Sequence, residues 1–386
     1  VPQEARKLMN TTMQTLGRVA LIGGLALVAA INLYLFADVE RLSEAQKVRH
    51  LGLTHQVARS TLSEANARRK SAVFEKIYAG LYRRHARGLA DSRKQAGEAD
   101  REMRLFIMDS TTITLFKDIL NGVGRVGDNG KRKGGIKAHT LIRADENVPC
   151  LVRYTASAKH DHFFLKEAEK LPAGSFVVFD KGYVDYGQYQ RLTEAGIRYV
   201  TRLKDNAAYT LLSECDIPED AAPGVLRDER IALTSAKQGG VQHLARRVIF
   251  LDQDSGRMFV FLTNSMEIPA DTVARIYRWR WQIELLFKQL KQNFGLKYFL
   301  GDNANAVETQ IWVAMIANLL LSLVQKKLKR KWAFSNMVSV IRQQAMSYIG
   351  LFQFLEDPEK SWRDQNERSK AAFKDSLFPD MRGACF

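Results

Sequence analysis

Asp109 and Asp180 each follow a short run of large apolar residues, Leu105-Phe106-Ile107-Met108 and Phe176-Val177-Val178-Phe179. Such runs read as buried strands. An acid at the carboxyl end of a strand is held by the sheet yet faces the crevice where open sheets bind ligands. Two carboxylates on neighbouring strands make a hard, oxygen-rich site suited to Mg2+. Either acid alone also reads as an ordinary turn former. A third acid stands in a different pattern. Counting from Tyr277 at about 100° per residue, Arg280 falls at about −60°, Glu284 at about −20° and Lys291 at about −40°. The four share one helical stripe, while Trp279, Ile283, Leu286 and Leu290 fall on the opposite face and read as packing residues. A solvated charged face with i,i+4 and i,i+7 partners would look similar. It would not explain Tyr277 in the stripe, nor the two strand-end acids.

The elements that must position these residues follow from pattern. After Asp109 come a basic loop, Asn121 to Gly135, and two strand-like runs, Ile136–Arg143 and Cys150–Thr155, around a turn at Ala144–Asn147. His162–Lys170 reads as helical, Phe176–Phe179 as a strand, Tyr186–Ala195 as a helix and Arg198–Leu203 as a strand. That order implies a mixed sheet with helices on both faces. Residues 205–265 break the rhythm with Pro218, Pro223, Gly239-Gly240 and Gly256, and read as a β-rich insertion. A long helix is expected from Ala270 to Asn293, followed by helical chain in which Ile311–Val324, 14 residues, is too short to span a bilayer and reads as core. Upstream, residues 41–100 read as helices. Ser60 and Thr61 before Glu64 suit a helix start, and the turn at Gly52–His55 fits a helix-turn-helix or a plain bundle.

Together these residues carry a family resemblance. Tyr277-x2-Arg280-x3-Glu284-x6-Lys291 resembles the Y-R-E-K signature of bacterial DDE transposases of the insertion-sequence-4 family. Asp109 in FIMDSTT resembles that family's first acid, Asp180 in FVVFDKGY its second and Glu284 its third. Gly134-Gly135-Ile136-Lys137-Ala138-His139-Thr140 is similar to its second-strand motif, and Arg59–Asn66 to its N-terminal helical region. The match runs from about His50 to Lys331; residues 1–40 depart from it, as a truncated start or a fused reading frame would. The resemblance implies an α/β, RNase H-like fold: a mixed five-stranded sheet flanked by helices, with the β-rich insertion before the last catalytic helix. It divides the chain into an apolar segment 1–40, a helical DNA-binding region 41–100, a catalytic domain 101–300 and a helical region 301–386. It further implies Mg2+, or Mn2+ in its place, held by Asp109, Asp180 and Glu284. Tyr277, Arg280 and Lys291 would lie on the DNA side, and a homodimer would synapse two ends of double-stranded DNA. The implied route is cut-and-paste with a hairpin at the transposon end. A nuclease of the same fold without strand transfer and a domesticated DNA-binding protein are the alternatives, and the intact acids argue against the second.

Composition agrees with a polyanion as partner. The 386 residues hold 58 Lys and Arg against 42 Asp and Glu, a net charge of +16, and a pI near 9.7 points to nucleic acid or an anionic membrane surface. Three dispersed cysteines, Cys150, Cys215 and Cys385, speak against a disulfide scaffold and fit a reducing cytoplasm, with the nucleoid as the expected location. Val19–Ala37 is 19 residues long with Asn32 as its only strongly polar side chain; its length suits a membrane anchor, or else a buried helix. Because the rest of the chain needs access to DNA, no working membrane span is expected there. The chain opens on Val1 rather than Met, which fits a missing native start. His160-Asp161-His162 reads better as a helix-start turn than as a metal cluster. Arg202 and Lys204 read as phosphate contacts or plain surface charge, and no P-loop signature calls for ATP.

Overall fold

The computed structural model describes residues 59–89, 103–114, 124–126, 132–157, 159–218, 223–235, 241–296, 299, 301, 303–344, 350–364 and 366–367. The apolar segment Val19–Ala37, the Gly52–His55 turn and most of the basic loop from Asn121 to Lys131 lie outside them. The chain divides into two compact units, one of Ser63–Met315 and one of Val1–Leu62 with Ile316–Phe386.

The described residues of the larger unit form ten strands: β1 (Leu105–Thr114), β2 (Gly124–Val126), β3 (Arg132–Arg143), β4 (Pro149–Ala156), β5 (Phe176–Phe179), β6 (Arg198–Arg202), β7 (Tyr209–Glu214), β8 (Val225–Ser235), β9 (Val241–Asp252) and β10 (Arg257–Thr263). Their order is β2-β3-β1-β5-β6-β10-β9-β8-β7, with β4 also paired to β3. The β4-β3-β1 meander is antiparallel, whereas β5 joins β1 and β6 joins β5 in parallel. The sheet is therefore mixed, as expected, but it does not stop at five strands. β10 pairs antiparallel with β6 (Phe261 with Arg202, Thr263 with Val200) and carries β9, β8 and β7 outward in the same sheet. The physical reason is the outer edge of β6: a strand whose middle three residues are buried cannot leave its N–H and C=O groups unpaired.

β5 sets the layering. Its four residues are all buried, and alternate side chains serve opposite cores. Val177 and Phe179 pack with Phe164, Tyr183, Tyr189 and Tyr199; Phe176 and Val178 pack with Val248, Phe261, Val273 and Tyr277. The first core is covered by a 3-10 helix, Asp161–Lys170, and by α3 (Tyr186–Glu194), whose N-cap Asp185 accepts from the Gln188 N–H. α1 (Arg59–Arg68) and α2 (Ser71–Leu89) precede the sheet.

The expected single helix from Ala270 is two, α4 (Ala270–Arg278) and α5 (Trp281–Asn293). Between them the backbone tightens: Trp279 N–H bonds Ile276 O, Arg280 N–H bonds Tyr277 O and Ile283 N–H bonds Arg280 O. These i→i−3 bonds advance each residue by about 120°, so side chains three apart eclipse, which draws Arg280 under Tyr277. Ile283, Leu286 and Leu290 are buried as expected, Trp279 is only half-buried, and Trp281 is 59% exposed.

The other unit is helical in its described part: the start of α1, the end of α6 (Ala304–Lys327), α7 (Phe334–Gln344) and α8 (Leu351–Glu356). α6 is long and apolar enough to cross a membrane, yet 94% of its apolar window is buried inside the protein. It is a core helix, in keeping with the reading of Ile311–Val324.

Candidate active site

β1 and β5 run in parallel with Met108 opposite Phe179. One residue further stand Asp109, still on β1, and Asp180, the first residue past the end of β5. The Asp109 side chain is 17% exposed. Its Oδ1 accepts from the Ser110 N–H at 2.8 Å, which leaves Oδ2 for a second partner. Asp180 sits in a tight turn, with its main-chain oxygen accepting from Tyr183 N–H and its Oδ2 from Gly182 N–H at 3.3 Å.

The third acid, Glu284, comes from α5. The Arg280 guanidinium reaches Asp109 Oδ2 through Nη1 at 3.5 Å and Glu284 Oε1 through Nη2 at 2.5 Å. Tyr277 is buried, and its hydroxyl donates to Asp180 Oδ1 at 3.4 Å. The Arg280 Cζ lies 5.7 Å from the Tyr277 ring centre. Asp109, Asp180, Tyr277, Arg280 and Glu284, which span 176 positions of sequence, are thus one connected cluster. Burial first, and the neighbouring Asp180 and Glu284 charges after it, push the Asp109 carboxyl up to about 6, against the opposing pull of the Ser110 N–H and Arg280. The Asp109 carboxyl therefore feels the negative charge of both other acids.

The chemistry of the donors, hard carboxylate oxygens at the ends of rigid strands, fits a divalent ion. Among the described residues, however, no three carboxylate, imidazole or thiol groups are gathered into a ready-made metal cage, this trio included. The oxygens of Asp109 and Glu284 are arranged about the guanidinium instead.

Lys291 is not part of the cluster. It is exposed on α5, two turns past Glu284, with no ion-pair partner among the described residues. Arg202 lies over the Phe259 ring at 5.8 Å, and Lys204 is exposed. His160 is the N-cap of the 3-10 helix, in keeping with a helix-start turn, and its ring stacks on His162. Asp161 does more than start that helix. Its Oδ1 accepts from Ser110 Oγ at 2.6 Å and lies 3.1 Å from Lys137 Nζ. The sequence reading names Asp161 only within a helix-start turn and does not place it beside Asp109. The one visible signal of that position was the two-residue spacing of Lys137 and His139, which puts both on one face of β3.

Residues 100–320, more than half of the chain and all five clustered residues, match the transposase DDE domain. The chain belongs to the DDE transposase family. The transposase is 33% identical over 273 residues to the putative transposase y4zB of Sinorhizobium fredii, covering 69% of this chain and 71% of that one. It is 28% identical to the probable transposase for insertion sequence element IS5377 of Geobacillus stearothermophilus, over 62% of each chain. To the putative transposase for insertion sequence element IS4SA of Synechocystis it is 26% identical, over 76% of this chain and 80% of that one. These relatives agree with the resemblance to the insertion-sequence-4 family. Among solved structures, a piggyBac transposase synaptic complex with hairpin DNA aligns at 12% identity over 68% of this chain and 56% of that chain. Its TM-score of 0.37 is too low to bear on fold or mechanism.

Proposed function

We propose that this transposase cleaves and joins double-stranded DNA at a divalent-ion site formed by Asp109, Asp180 and Glu284, on an RNase H-like unit made of β4-β3-β1-β5-β6. The observation that carries the reading is the single guanidinium shared by Asp109 and Glu284, with Asp180 at the end of the adjacent strand. Bound there, Mg2+ or Mn2+ would supply activation of the attacking oxygen and neutralise charge on the leaving one. The chain's own residues do the rest. Ser110 N–H fixes one oxygen of Asp109 and so turns the other to the site. Tyr277 orients Asp180 through its hydroxyl, a supporting role that suits its burial better than direct contact with DNA. Arg280 and Lys291 neutralise backbone phosphates. A homodimer across two DNA ends, a cut-and-paste route and action in the cytoplasm at the nucleoid complete the proposal. No membrane role is assigned to Val19–Ala37.

The test is a strand-transfer assay with a 3′-hydroxyl end fragment of the element, a target plasmid and Mg2+. Joined product is expected with Mg2+ or Mn2+ and none in excess chelator. Cleavage that persists in chelator would remove the metal from the mechanism, and cleavage without joining would make the protein a nuclease of this fold.

A further inference from the structure

Arg280 occupies one oxygen on each of two acids that a metal ion would share. Asp109 Oδ1 is already committed to the Ser110 N–H, so Oδ2 is the oxygen that Asp109 has to offer, and Arg280 Nη1 faces it. Glu284 Oε1 is held by Nη2 of the same guanidinium. A cation bound through Asp109 Oδ2 and Glu284 Oε1 would therefore compete with Arg280 for both atoms, and one bound through the other oxygens would still sit against its positive charge. The guanidinium is also incompletely satisfied where it is. It splits its two terminal nitrogens between two acids instead of forking onto one. Its contact to Asp109 is at the outer limit of a hydrogen bond, and its buried Nε has no hydrogen-bond partner. A DNA phosphate offers what this position lacks: two oxygens of one group, spaced for the planar fork.

We propose that Arg280 couples metal loading to DNA binding: it competes with the divalent ion for Asp109 and Glu284, and transfers to a DNA phosphate when that ion binds. The proposal rests on the metal-and-DNA reading above and adds a direction to it. DNA that engages Arg280 frees the carboxylates, so the two ligands promote each other's binding, by equal factors as linkage demands. The transposase would then load its metal fully only with DNA in place, which guards against an armed site without substrate.

The test is equilibrium binding, not catalysis. Mn2+ is titrated into the full chain with free Mn2+ read by electron paramagnetic resonance, with and without a mixed-sequence DNA duplex at low salt. The Glu284→Gln variant supplies the background from Mn2+ on DNA phosphates. For the parent, the duplex should tighten Mn2+ binding about tenfold, and Mn2+ should tighten duplex binding, read by fluorescence anisotropy, by the same factor. Arg280→Gln should bind Mn2+ about tenfold more tightly than the parent without DNA, and the coupling should vanish. Equal or weaker Mn2+ binding by Arg280→Gln, or a parent without coupling, overturns the proposal. If Arg280→Gln does not fold, the parent's coupling alone decides. Mn2+ binding by the parent that Glu284→Gln leaves unchanged would instead sink the metal-site reading itself.

Discussion

Glu284 and Lys291 lie on one helix and were read from one motif, yet their surroundings assign them different work. Glu284 is tied through Arg280 to Asp109, while Lys291 stands exposed and away from the acids. Glu284→Gln keeps shape and removes the charge. DNA binding should survive, slightly tighter because a negative charge near phosphate is gone, and cleavage should fall by orders of magnitude, since ion placement supplies much of the barrier reduction in such sites. Lys291→Ala should lose about one phosphate contact, with the slope of log affinity against log salt shrinking by roughly 0.9, and should retain cleavage at saturating DNA. DNA titrations at several salt concentrations, with cleavage measured at saturation, check both. A cleaving Glu284→Gln beside a dead but fully bound Lys291→Ala would reverse the assignment. At this scale the sequence was informative about five residues that the fold brings together, because three residues of the spaced signature and two strand-end acids can be picked out without any structure, while Lys291 of the same signature stays apart. It was silent on Arg280 bridging two acids, since the distance from Asp109 to Arg280 is 171 positions along the chain and local pattern carries no trace of it.

At the scale of elements, what could be read was what is locally uniform. Phe176–Phe179 is apolar throughout and ends at a charged residue, so both its type and its boundary were visible. The break between α4 and α5 was not, because no Pro or Gly marks it and the tightening at Trp279-Arg280 shows only in the backbone bonds around it. The addition of β10 to β6 was equally hidden: hairpin strands look alike whether they form a separate layer or extend an existing sheet. One buried ion pair secures that extension to the helices bearing the site. Arg246 on β9 binds both oxygens of Asp228 on β8, at 2.7 and 2.5 Å, and its Nη1 reaches the Ile268 carbonyl at 2.5 Å in the loop that leads into α4. Arg246→Met would leave Asp228 buried and unpaired, and should cost about 3–5 kcal/mol. Arg246→Met combined with Asp228→Leu should recover much of that loss, because the uncompensated charge is then gone. Denaturant unfolding of the single and double variants measures both. A single variant as stable as the parent would show that the pair fastens nothing.

Across the whole molecule, the +16 charge was legible as affinity for a polyanion, whereas the way ten strands share one sheet was not, since strand pairing is long-range. That shared sheet has a consequence for pH. His243 on β9 is fully buried where the added strands meet the first core. Its Nδ1 lies 3.1 Å from Gln190 Oε1 on α3, and its Nε2 lies 2.8 Å from the hydroxyl of Tyr199 on β6. The Gln190 amide nitrogen is engaged with Glu194, so the oxygen facing His243 can only accept. The ring proton therefore sits on Nδ1, and Tyr199, whose burial keeps its hydroxyl protonated, donates to Nε2. A second proton on the ring would set an N–H against that O–H and bury a charge. Burial accordingly lowers the His243 pKa from 6.5 to about 4. The sign follows: the unfolded chain takes up a proton near 6.5 and the folded one only near 4. The stabilisation is thus complete above pH 6.5 and is lost progressively as pH falls through that window. The loss is on the order of 3 kcal/mol at 1.36 kcal/mol per unit. Urea unfolding of the full chain at steps between pH 7.5 and pH 4 should show the parent losing stability more steeply than His243→Gln. That variant starts weaker at neutral pH, because it loses the ring's packing, but carries no proton to bury. Parallel pH profiles for the two proteins would mean that the imidazole accepts its proton in the folded state without cost. The Tyr199–His243–Gln190 chain could then not be what ties the outer strands to the core in a single protonation state.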